Sequence, residues 1–510
     1  MSRTYNAVRN ISWGIVQKIV TLLLPFITRT VLIKSLGADY LGLSGLFTSV
    51  LSLLSLTELG VSNAIISTMY KPIAEGDEET ICALMNLYRK AYHVIGILIA
   101  LLGISITPFL DRFIKGDLPI GVNIYVLYLI YLANTSISYF LFAYKNCLLV
   151  AHQRNDINSK IQTVLLIVQN IVQIVLVVFF KNYYCYVIVI PFITITTNII
   201  TACYVKKLYP QYVCRGRLPN EKKGEVKERV LGLMLGKISA TIRSSIDSMF
   251  ISMFLGLTAV AMYSNYFYIV TAIVGVIQIV EASVIAGVGD SIATESIQKN
   301  YHDCNKFTFL IQWVVGWCAI CILCLEQPFM EIWMGKTLMF KDAMVYLCAM
   351  YLFVNCIGLI RSIYTQALGM WWTLRYLSIA DIFVNTALNY VLGIKFGAYG
   401  IIAATVVDIV LVSIPWTTYY LFRDYFGKEH YGNYMGGYIK YFMAATVVGG
   451  LTYVMCQYIK CGDLLLGFMF KCLVCIFIPN ICYYILFHKN QYFSEMISII
   501  KNKIKSVKVD

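Results

Sequence analysis

The chain has 510 residues, of which 59% are hydrophobic and only 13% are charged, whereas soluble domains carry about 25% charged residues. This composition excludes a soluble protein. The formal net charge is +14, but no nucleic-acid-binding motif accompanies the basic residues, so we expect no nucleic-acid partner.

Apolar segments long enough to cross a bilayer as helices follow one another along the whole chain. They cover residues 10–33, 41–66, 91–110, 120–143, 161–180, 184–205, 231–255, 258–289, 307–328, 343–365, 376–394, 398–422, 439–459 and 464–487. The pattern predicts an all-α polytopic membrane protein with about 14 transmembrane helices. Because this number is even, both termini should lie on one side of the membrane.

Basic residues are distributed unevenly between the two sides. With a cytoplasmic N-terminus, 28 of the 41 Lys and Arg lie in cytoplasmic ends and loops, and 8 lie on the opposite side. Since Lys and Arg accumulate in cytoplasmic loops, the count predicts that both termini are cytoplasmic.

The longest basic loop follows the sixth predicted helix and divides the chain into two similar halves. Two pairs at an offset of 219 residues support an internal duplication: Lys18-Ile19 with Lys237-Ile238, and Leu36-Gly37 with Leu255-Gly256. We predict two six-helix pseudo-symmetric lobes and two further helices. The boundaries are an N-lobe at 1–205, a basic cytoplasmic linker at 206–230, a C-lobe at 231–422, helices 13 and 14 at 423–488, and a basic amphipathic cytoplasmic tail at 489–510.

Four cations lie inside the apolar segments. Lys18 and Arg29 differ by about 20° around the first helix and by about 16 Å along it, and Lys237 and Arg243 share the seventh helix. Ionisable groups at this depth are costly unless a polar cavity receives them. We expect all four to bind an anionic substrate headgroup, although Lys18 could instead extend to the cytoplasmic headgroups and Arg29 to the outer interface.

Five carboxylates accompany these cations: Glu58, Asp247, Glu281, Asp381 and Asp408. They could balance the cations or couple transport to H⁺ or Na⁺, and the sequence does not separate the two roles. Asp247 lies four residues after Arg243, so these two could also form a purely structural ion pair. No other cofactor is expected.

Amide side chains form two further stripes at helical spacing. Gln162, Gln169 and Gln173 share a face of the fifth helix, while Asn385 and Asn389 continue a stripe that begins at Ser378 and Asp381. Amides donate and accept hydrogen bonds, which suits sugar hydroxyls. We predict glycan contacts at these five amides, with helix packing as the alternative.

Two cysteine motifs fall inside predicted membrane helices. Cys318, Cys321 and Cys324 form C-x-x-C-x-x-C, and Cys472 and Cys475 form C-x-x-C. Because neither motif has a histidine or a further ligand nearby in the sequence, we interpret these thiols as small buried hydrophobic groups. We therefore expect no metal site and no catalytic residues.

Three N-terminal motifs carry a resemblance to a known family. They are Asn10-Ile-Ser-Trp-Gly, then RTVLIKSLGADYLGL at 29–43, and ELGVSNAI at 58–65. With the 14-helix layout, they resemble the Wzx-type oligosaccharide flippases of the polysaccharide transporter family, within the multidrug/oligosaccharidyl-lipid/polysaccharide superfamily.

The resemblance implies two bundles around a central cavity and alternating access in a bacterial plasma membrane. Its substrate would be an undecaprenyl-pyrophosphate-linked oligosaccharide, moved from the cytoplasmic to the outer leaflet for capsule, O-antigen or a related surface polysaccharide. The implied partners are this lipid-linked oligosaccharide, membrane lipids, and a polysaccharide polymerase with glycosyltransferases.

Two alternatives stay within the same superfamily. A peptidoglycan-precursor flippase would share the fold and the lipid carrier. A drug/cation antiporter would need a cavity dominated by carboxylates, whereas Lys and Arg occur in both predicted halves. An enzyme that polymerises glycans outside the cell is disfavoured, because the predicted outer loops are too short for a catalytic domain.

Overall fold

The computed structural model describes residues 3–58, 60–459 and 461–498, without the side chains of 3–8, 11, 57, 220–223, 225–229, 231–233, 235–237, 240, 282, 283 and 286. This part of the chain is almost entirely helical and contains no strand. Its helices are α1 (Arg3–Leu36), α2 (Ala38–Leu54), α3 (Val61–Glu75), α4 (Glu78–Ile106), α5 (Ile124–Phe140), α6 (Asn146–Ala151), α7 (Asn155–Phe180), α8 (Tyr183–Leu208), α9 (Asn220–Leu255), α10 (Leu257–Thr294), α11 (Ile297–Met334), α12 (Ala343–Ile357), α13 (Leu359–Ala367), α14 (Arg375–Phe396), α15 (Ala398–Asp408), α16 (Ile414–Leu421), α17 (Tyr431–Tyr458) and α18 (Leu464–Phe487).

Most of these helices are long and apolar enough to cross a membrane. Within the described residues there are 11 such spans, or 12 if α5 and the segment Ala143–Ala151, bent by 49°, form one span. Each segment predicted from the sequence overlaps at least one helix. The predicted all-α polytopic membrane fold is confirmed.

The predicted segments 41–66 and 231–255 differ from the helices of the structure. The segment 41–66 is not one helix, because α2 ends at Leu54, a 3₁₀ turn covers Ser55–Glu58, and α3 begins after Gly60, whose φ of 95° is left-handed. Glu58 therefore lies in a turn rather than late in a helix. The helix predicted at 231–255 is longer, since α9 begins at Asn220, inside the predicted linker.

The first compact unit of the chain is Met1–Ser264. Within it, α1 packs lengthwise against α7, and α9 packs against α2. Its core is rich in aromatic rings, such as the fully buried pair Phe47 and Tyr128, with ring centroids 5.6 Å apart. These contacts fix α2 and α5, two helices that line the cavity described below.

The two repeated Leu-Gly pairs have the same local structure. Leu36 ends α1 and Leu255 ends α9, and in each case a single glycine precedes the next helix. Gly37 has φ 117° and ψ 167°, and Gly256 has φ 89° and ψ −179°, values that only glycine adopts readily. This match supports the predicted duplication, whose lobe boundaries remain a prediction.

The second compact unit is Asn265–Asp510. Its central helix is α11, which packs against α12, α17 and α18. The indole nitrogen of Trp313 donates to Asn480 Oδ1 at 2.9 Å, and that of Trp317 donates to the Cys475 carbonyl oxygen at 2.8 Å. Buried indole donors need such partners, so these bonds fix how α18 lies on α11.

Candidate functional site

A cavity of about 420 Å³ lies within the first unit. Its walls come from α2, the 3₁₀ turn that follows, α5, α8 and α9. Polar side chains dominate the lining, which consists of Ser44, Thr48, Leu51, Ser52, Ser55, Glu58, Tyr131, Asn134, Thr135, Ile190 and Thr241. Among the described residues, no lysine or arginine lines this hydroxyl cavity.

Glu58 is the one carboxylate in that lining, and neutral phenols hold it. Its Oε1 accepts a hydrogen bond from the Tyr92 hydroxyl at 2.7 Å, and its Oε2 accepts one from the Tyr139 hydroxyl. Tyr92 in turn accepts from the Tyr88 hydroxyl at 2.7 Å. Both carboxylate oxygens are therefore bound to protein donors, with no cation required.

Three of the seven hydroxyl groups that line the cavity donate their hydrogen atoms to the backbone of their own helix. Ser52, Ser55 and Thr135 each donate to the backbone carbonyl one turn earlier, at 2.7, 2.9 and 3.1 Å. Their oxygen lone pairs remain to accept hydrogen bonds. The amide oxygen of Asn134 is buried and has no hydrogen-bond partner within the described part of the chain. A ligand rich in hydroxyl donors would satisfy these acceptors.

A second cavity, of about 200 Å³, lies within the second unit between α10, α12 and α13. Glu281 lines it and accepts hydrogen bonds from Ser362 Oγ at 2.9 Å and from Gln366 Nε2 at 2.6 Å. Arg361 also lines it and is only 7% exposed. Its Nη1 donates to the Ile414 carbonyl oxygen at 3.0 Å, which anchors the guanidinium inside the helices.

The sequence itself assigns the family. Residues 7–285, more than half of the chain, match the sequence model described as polysaccharide biosynthesis protein, Polysacc_synt. The chain belongs to this family. No curated protein sequence gives a significant match.

Solved structures share the fold of this family member at low identity. The lipid II flippase MurJ, in an inward closed conformation, is 14% identical with a TM-score of 0.66, over 94% of this chain and 99% of that chain. An inward-facing multidrug resistance MATE transporter of the MOP superfamily is 15% identical with a TM-score of 0.61, over 81% and 97%. A MOP superfamily transporter from Pyrococcus furiosus is 15% identical with a TM-score of 0.53, over 81% and 94%.

The family match and the apolar helices together establish the general class of the protein. It is a multi-pass membrane protein of the polysaccharide biosynthesis family. The resemblance noted in the N-terminal motifs is confirmed at the level of the family.

None of the predicted cations whose side chains the structure describes lines the hydroxyl cavity. Arg29 is half-buried on α1, and its Nη1 donates to the Ser264 carbonyl oxygen at 3.1 Å. Lys18 and Arg243 are likewise half-buried. The side chain of Lys237 lies outside the described residues, but its position on α9 is one turn before Thr241, a cavity residue. Headgroup binding by these four residues remains a prediction.

Most of the predicted carboxylates and asparagines are buried within helix packing. Asp247 is 4% exposed and accepts from the Tyr263 hydroxyl at 3.2 Å. Asn385 Nδ2 donates to Thr405 at 3.2 Å, and Asn389 Nδ2 donates to Asn385 Oδ1 at 3.2 Å. Asp381, Asn385, Asn389 and Asp408 are all at most 6% exposed. This polar stripe joins α14 to α15, and its predicted contacts with ions or glycans remain predictions.

The three glutamines of α7 have different surroundings. Gln173 is 2% exposed and donates to the Tyr186 carbonyl oxygen at 3.2 Å. Gln162 is exposed and accepts from Gln17 of α1, while Gln169 is half-buried. Two of the three thus have partners within the protein, and a glycan contact at this face remains a prediction.

Arg361 is the main site residue that sequence reasoning missed. The prediction counted it among cytoplasmic loop cations, because it lies near the end of the segment 343–365. The helix there breaks at Gly358, and α13 turns Arg361 inwards. An added Cβ at Gly358 would overlap the guanidinium. The available signal in the sequence was that apolar residues, Ile360 and Ile363, stand on both sides of Arg361. Both are buried in the structure.

Proposed function

We propose that this transporter moves an undecaprenyl-pyrophosphate-linked oligosaccharide from the cytoplasmic to the outer leaflet of a bacterial plasma membrane, by alternating access. Its termini would be cytoplasmic, and the glycan would enter a surface polymer such as capsule or O-antigen. A polysaccharide polymerase and glycosyltransferases would act after and before it on the same lipid-linked substrate.

The observation that carries the proposal is the chemistry of the hydroxyl cavity. Eight of its lining side chains bear a hydroxyl or an amide, and two are apolar. Sugars present many hydroxyl donors at close spacing, so they can satisfy these acceptors, including the buried Asn134 amide oxygen. A hydrophobic cation offers few donors and would leave the same acceptors unsatisfied.

A drug/cation antiporter would use Glu58 as its cation ligand. However, both Glu58 oxygens accept phenol hydrogen bonds from Tyr92 and Tyr139, so a cation would have to displace or share them. The peptidoglycan-precursor flippase is the closer competitor, because its substrate combines the same lipid pyrophosphate with sugars. The transport assay below separates the three by substrate.

The anionic carrier requires cationic partners at membrane depth, since an unpaired pyrophosphate is costly in a low-dielectric medium. Arg29 and Arg243 are both half-buried within apolar helices of the first unit. We assign the headgroup to these two residues together with Lys18 and Lys237, and the glycan to the hydroxyl cavity. Alternating access would expose this set to each leaflet in turn.

The test is translocation in proteoliposomes containing the purified full chain. Three fluorescent substrates are compared: a lipid-linked oligosaccharide, a lipid-linked peptidoglycan precursor and a cationic dye. We expect transport of the first. Arg29→Gln and Arg243→Gln should each lower it about tenfold or more, the effect of losing one charged hydrogen bond, and Arg112→Gln, at an exposed position, should not.

The glycan assignment has its own pair of variants. Thr48→Val removes a cavity hydroxyl and should lower transport of the lipid-linked oligosaccharide. The control, Ser105→Ala, removes an exposed hydroxyl on α4 that donates to its own helix and should leave transport unchanged. Wild-type transport by the double variant of Arg29 and Arg243, at equal reconstitution, would overturn the headgroup assignment. Transport of the dye alone would overturn the proposed substrate.

A further inference from the structure

Three buried cysteines from three helices converge in the second unit. Cys324 of α11, Cys456 of α17 and Cys475 of α18 are at most 3% exposed. Their Sγ atoms all lie within 4.8 Å of one another. Two of them come from the cysteine motifs noted in the sequence, while Cys456 belongs to neither. We call these residues the thiol triad.

The spacing of the thiol triad approaches that of a metal-thiolate site. With Zn–S bonds of about 2.3 Å and tetrahedral angles, the sulfurs of a zinc site lie about 3.8 Å apart. Shifts of about 1 Å would bring the triad to that distance, within the range of cysteine side-chain rotation. Cys321 lies one turn before Cys324 on α11 and contacts Cys475 through its thiol.

A polar cavity connects the thiol triad to exposed carboxylates. Cys324 and Cys456 line a cavity of about 420 Å³ together with Asp342, Asp463 and Lys471. Both aspartates are exposed, whereas the two thiols are buried. Carboxylates at an entrance raise the local concentration of cations, so the cavity offers a route for a divalent ion.

We propose that Cys324, Cys456 and Cys475 bind a thiophilic metal ion of the Zn²⁺ class, which enters through this cavity. Thiolate sulfur is the ligand such ions select. On binding, each coordinating thiol loses its proton to water in the cavity, so the site forms without oxidation. The Lys471 ammonium, which also lines the cavity, offsets part of the thiolate charge.

The metal would join α17 and α18 to α11. The chain would then carry a metal clamp between the final helix pair and the rest of the second unit. This role is independent of the transported substrate. Ordinary packing of small hydrophobic thiols accounts for the burial of three cysteines, but not for their convergence beside a cavity with carboxylates.

The experiment measures bound zinc in the purified full chain. Protein prepared in detergent with a reductant is dialysed against Zn²⁺, freed of excess ion, and analysed by elemental mass spectrometry. We expect about one zinc per chain. Removing one ligand should lower the affinity by more than about tenfold, so Cys475→Ser should lose most of the bound zinc. The matched control is Cys472→Ser, which changes the other cysteine of the same motif.

A second measurement uses only the wild-type protein, so it does not depend on whether the variants fold. In the wild-type protein, Zn²⁺ should slow alkylation of the three triad thiols by N-ethylmaleimide, while Cys203, which is exposed on α8, reacts at an unchanged rate. Equal zinc in the wild type and in Cys475→Ser would overturn the proposal. So would unchanged alkylation of the triad, or a disulfide between two of its members in the reduced preparation.

Discussion

Loss of the buried Asp156 carboxylate should weaken the first unit. It is 1% exposed at the start of α7 and lies close to three cations. Arg9 Nε is 3.2 Å from Oδ2, Arg154 Nε is 3.2 Å from Oδ1, and Lys160 Nζ is 3.7 Å from Oδ2. Asp156→Asn keeps the shape but leaves three cations around a buried neutral group.

The three ion pairs contribute unequally because their partners differ in exposure. Arg9 is 14% exposed, so we assign about 2 kcal/mol to its pair. Arg154 and Lys160 are 31% and 43% exposed, so solvent screening limits each of their pairs to about 0.5 kcal/mol. We therefore expect Asp156→Asn to cost about 3 kcal/mol, mainly by detaching the N-terminal end of α1 from α7.

The assay is thermal unfolding of the purified chain in detergent, with Glu75→Gln as the matched control. Glu75 pairs with Lys71 at 3.8 Å, but both side chains are more than half exposed, so this change should cost less than about 0.5 kcal/mol. The double variant with Arg9→Gln should lose less than the sum of the single variants. A loss for Asp156→Asn no greater than that of the control would refute the reasoning.

Three further changes test other parts of the first unit. Gly42→Ala should lower thermal stability by about 2 kcal/mol, because the added Cβ overlaps the backbone carbonyl at the start of α10, whereas Gly14→Ala, with open space, should not. Glu58→Gln should weaken two charge-assisted hydrogen bonds and cost about 1–3 kcal/mol. Burial beside the Tyr209 ring lowers the pKa of His152 below 6.5. Because the unfolded chain then binds this proton more readily, the free energy of unfolding should decrease as the pH falls below about 6.5. The decrease should be smaller in His152→Phe.

Each of these three predictions has a result that would contradict it. Equal melting temperatures for the two glycine variants would show that α2 can move away from α10 without loss. A melting temperature for Glu58→Gln equal to that of the wild type would show that the phenols do not stabilise the carboxylate. The same acid sensitivity with and without the His152 imidazole would place the titrating group elsewhere.

The membrane fold could be predicted because its signal is repeated along the whole chain. Each apolar segment is independently long enough to form a helix, so errors at the ends do not change the topology. The breaks were harder, since Gly60 and Gly358 interrupt apolar runs without changing their hydropathy. The consequence was largest at Arg361, which a continuous helix would have carried towards a cytoplasmic loop.

Side-chain clusters were predictable only where one helix carries the whole set. The stripe of Asp381, Asn385 and Asn389 was visible because helical spacing places these residues on one face, and all three are buried. The thiol triad was not visible, because its sulfurs come from positions up to 151 residues apart and depend on how three helices pack. A sequence motif records neighbours along one helix, but not the partner that arrives from another.

Glu58 and Glu281 each line a cavity. The sequence left open whether these carboxylates balance a cation or couple transport to an ion. Two phenols donate to the two oxygens of Glu58, and a hydroxyl and an amide both donate to Glu281 Oε1, so the donors to both glutamates are neutral. A carboxylate whose sole purpose is to balance a cation would be expected to contact that cation directly. Neutral donors can instead rearrange when a carboxylate gains a proton, without leaving a buried cation unpaired. We therefore propose ion coupling, rather than charge balance, as the role of these two residues.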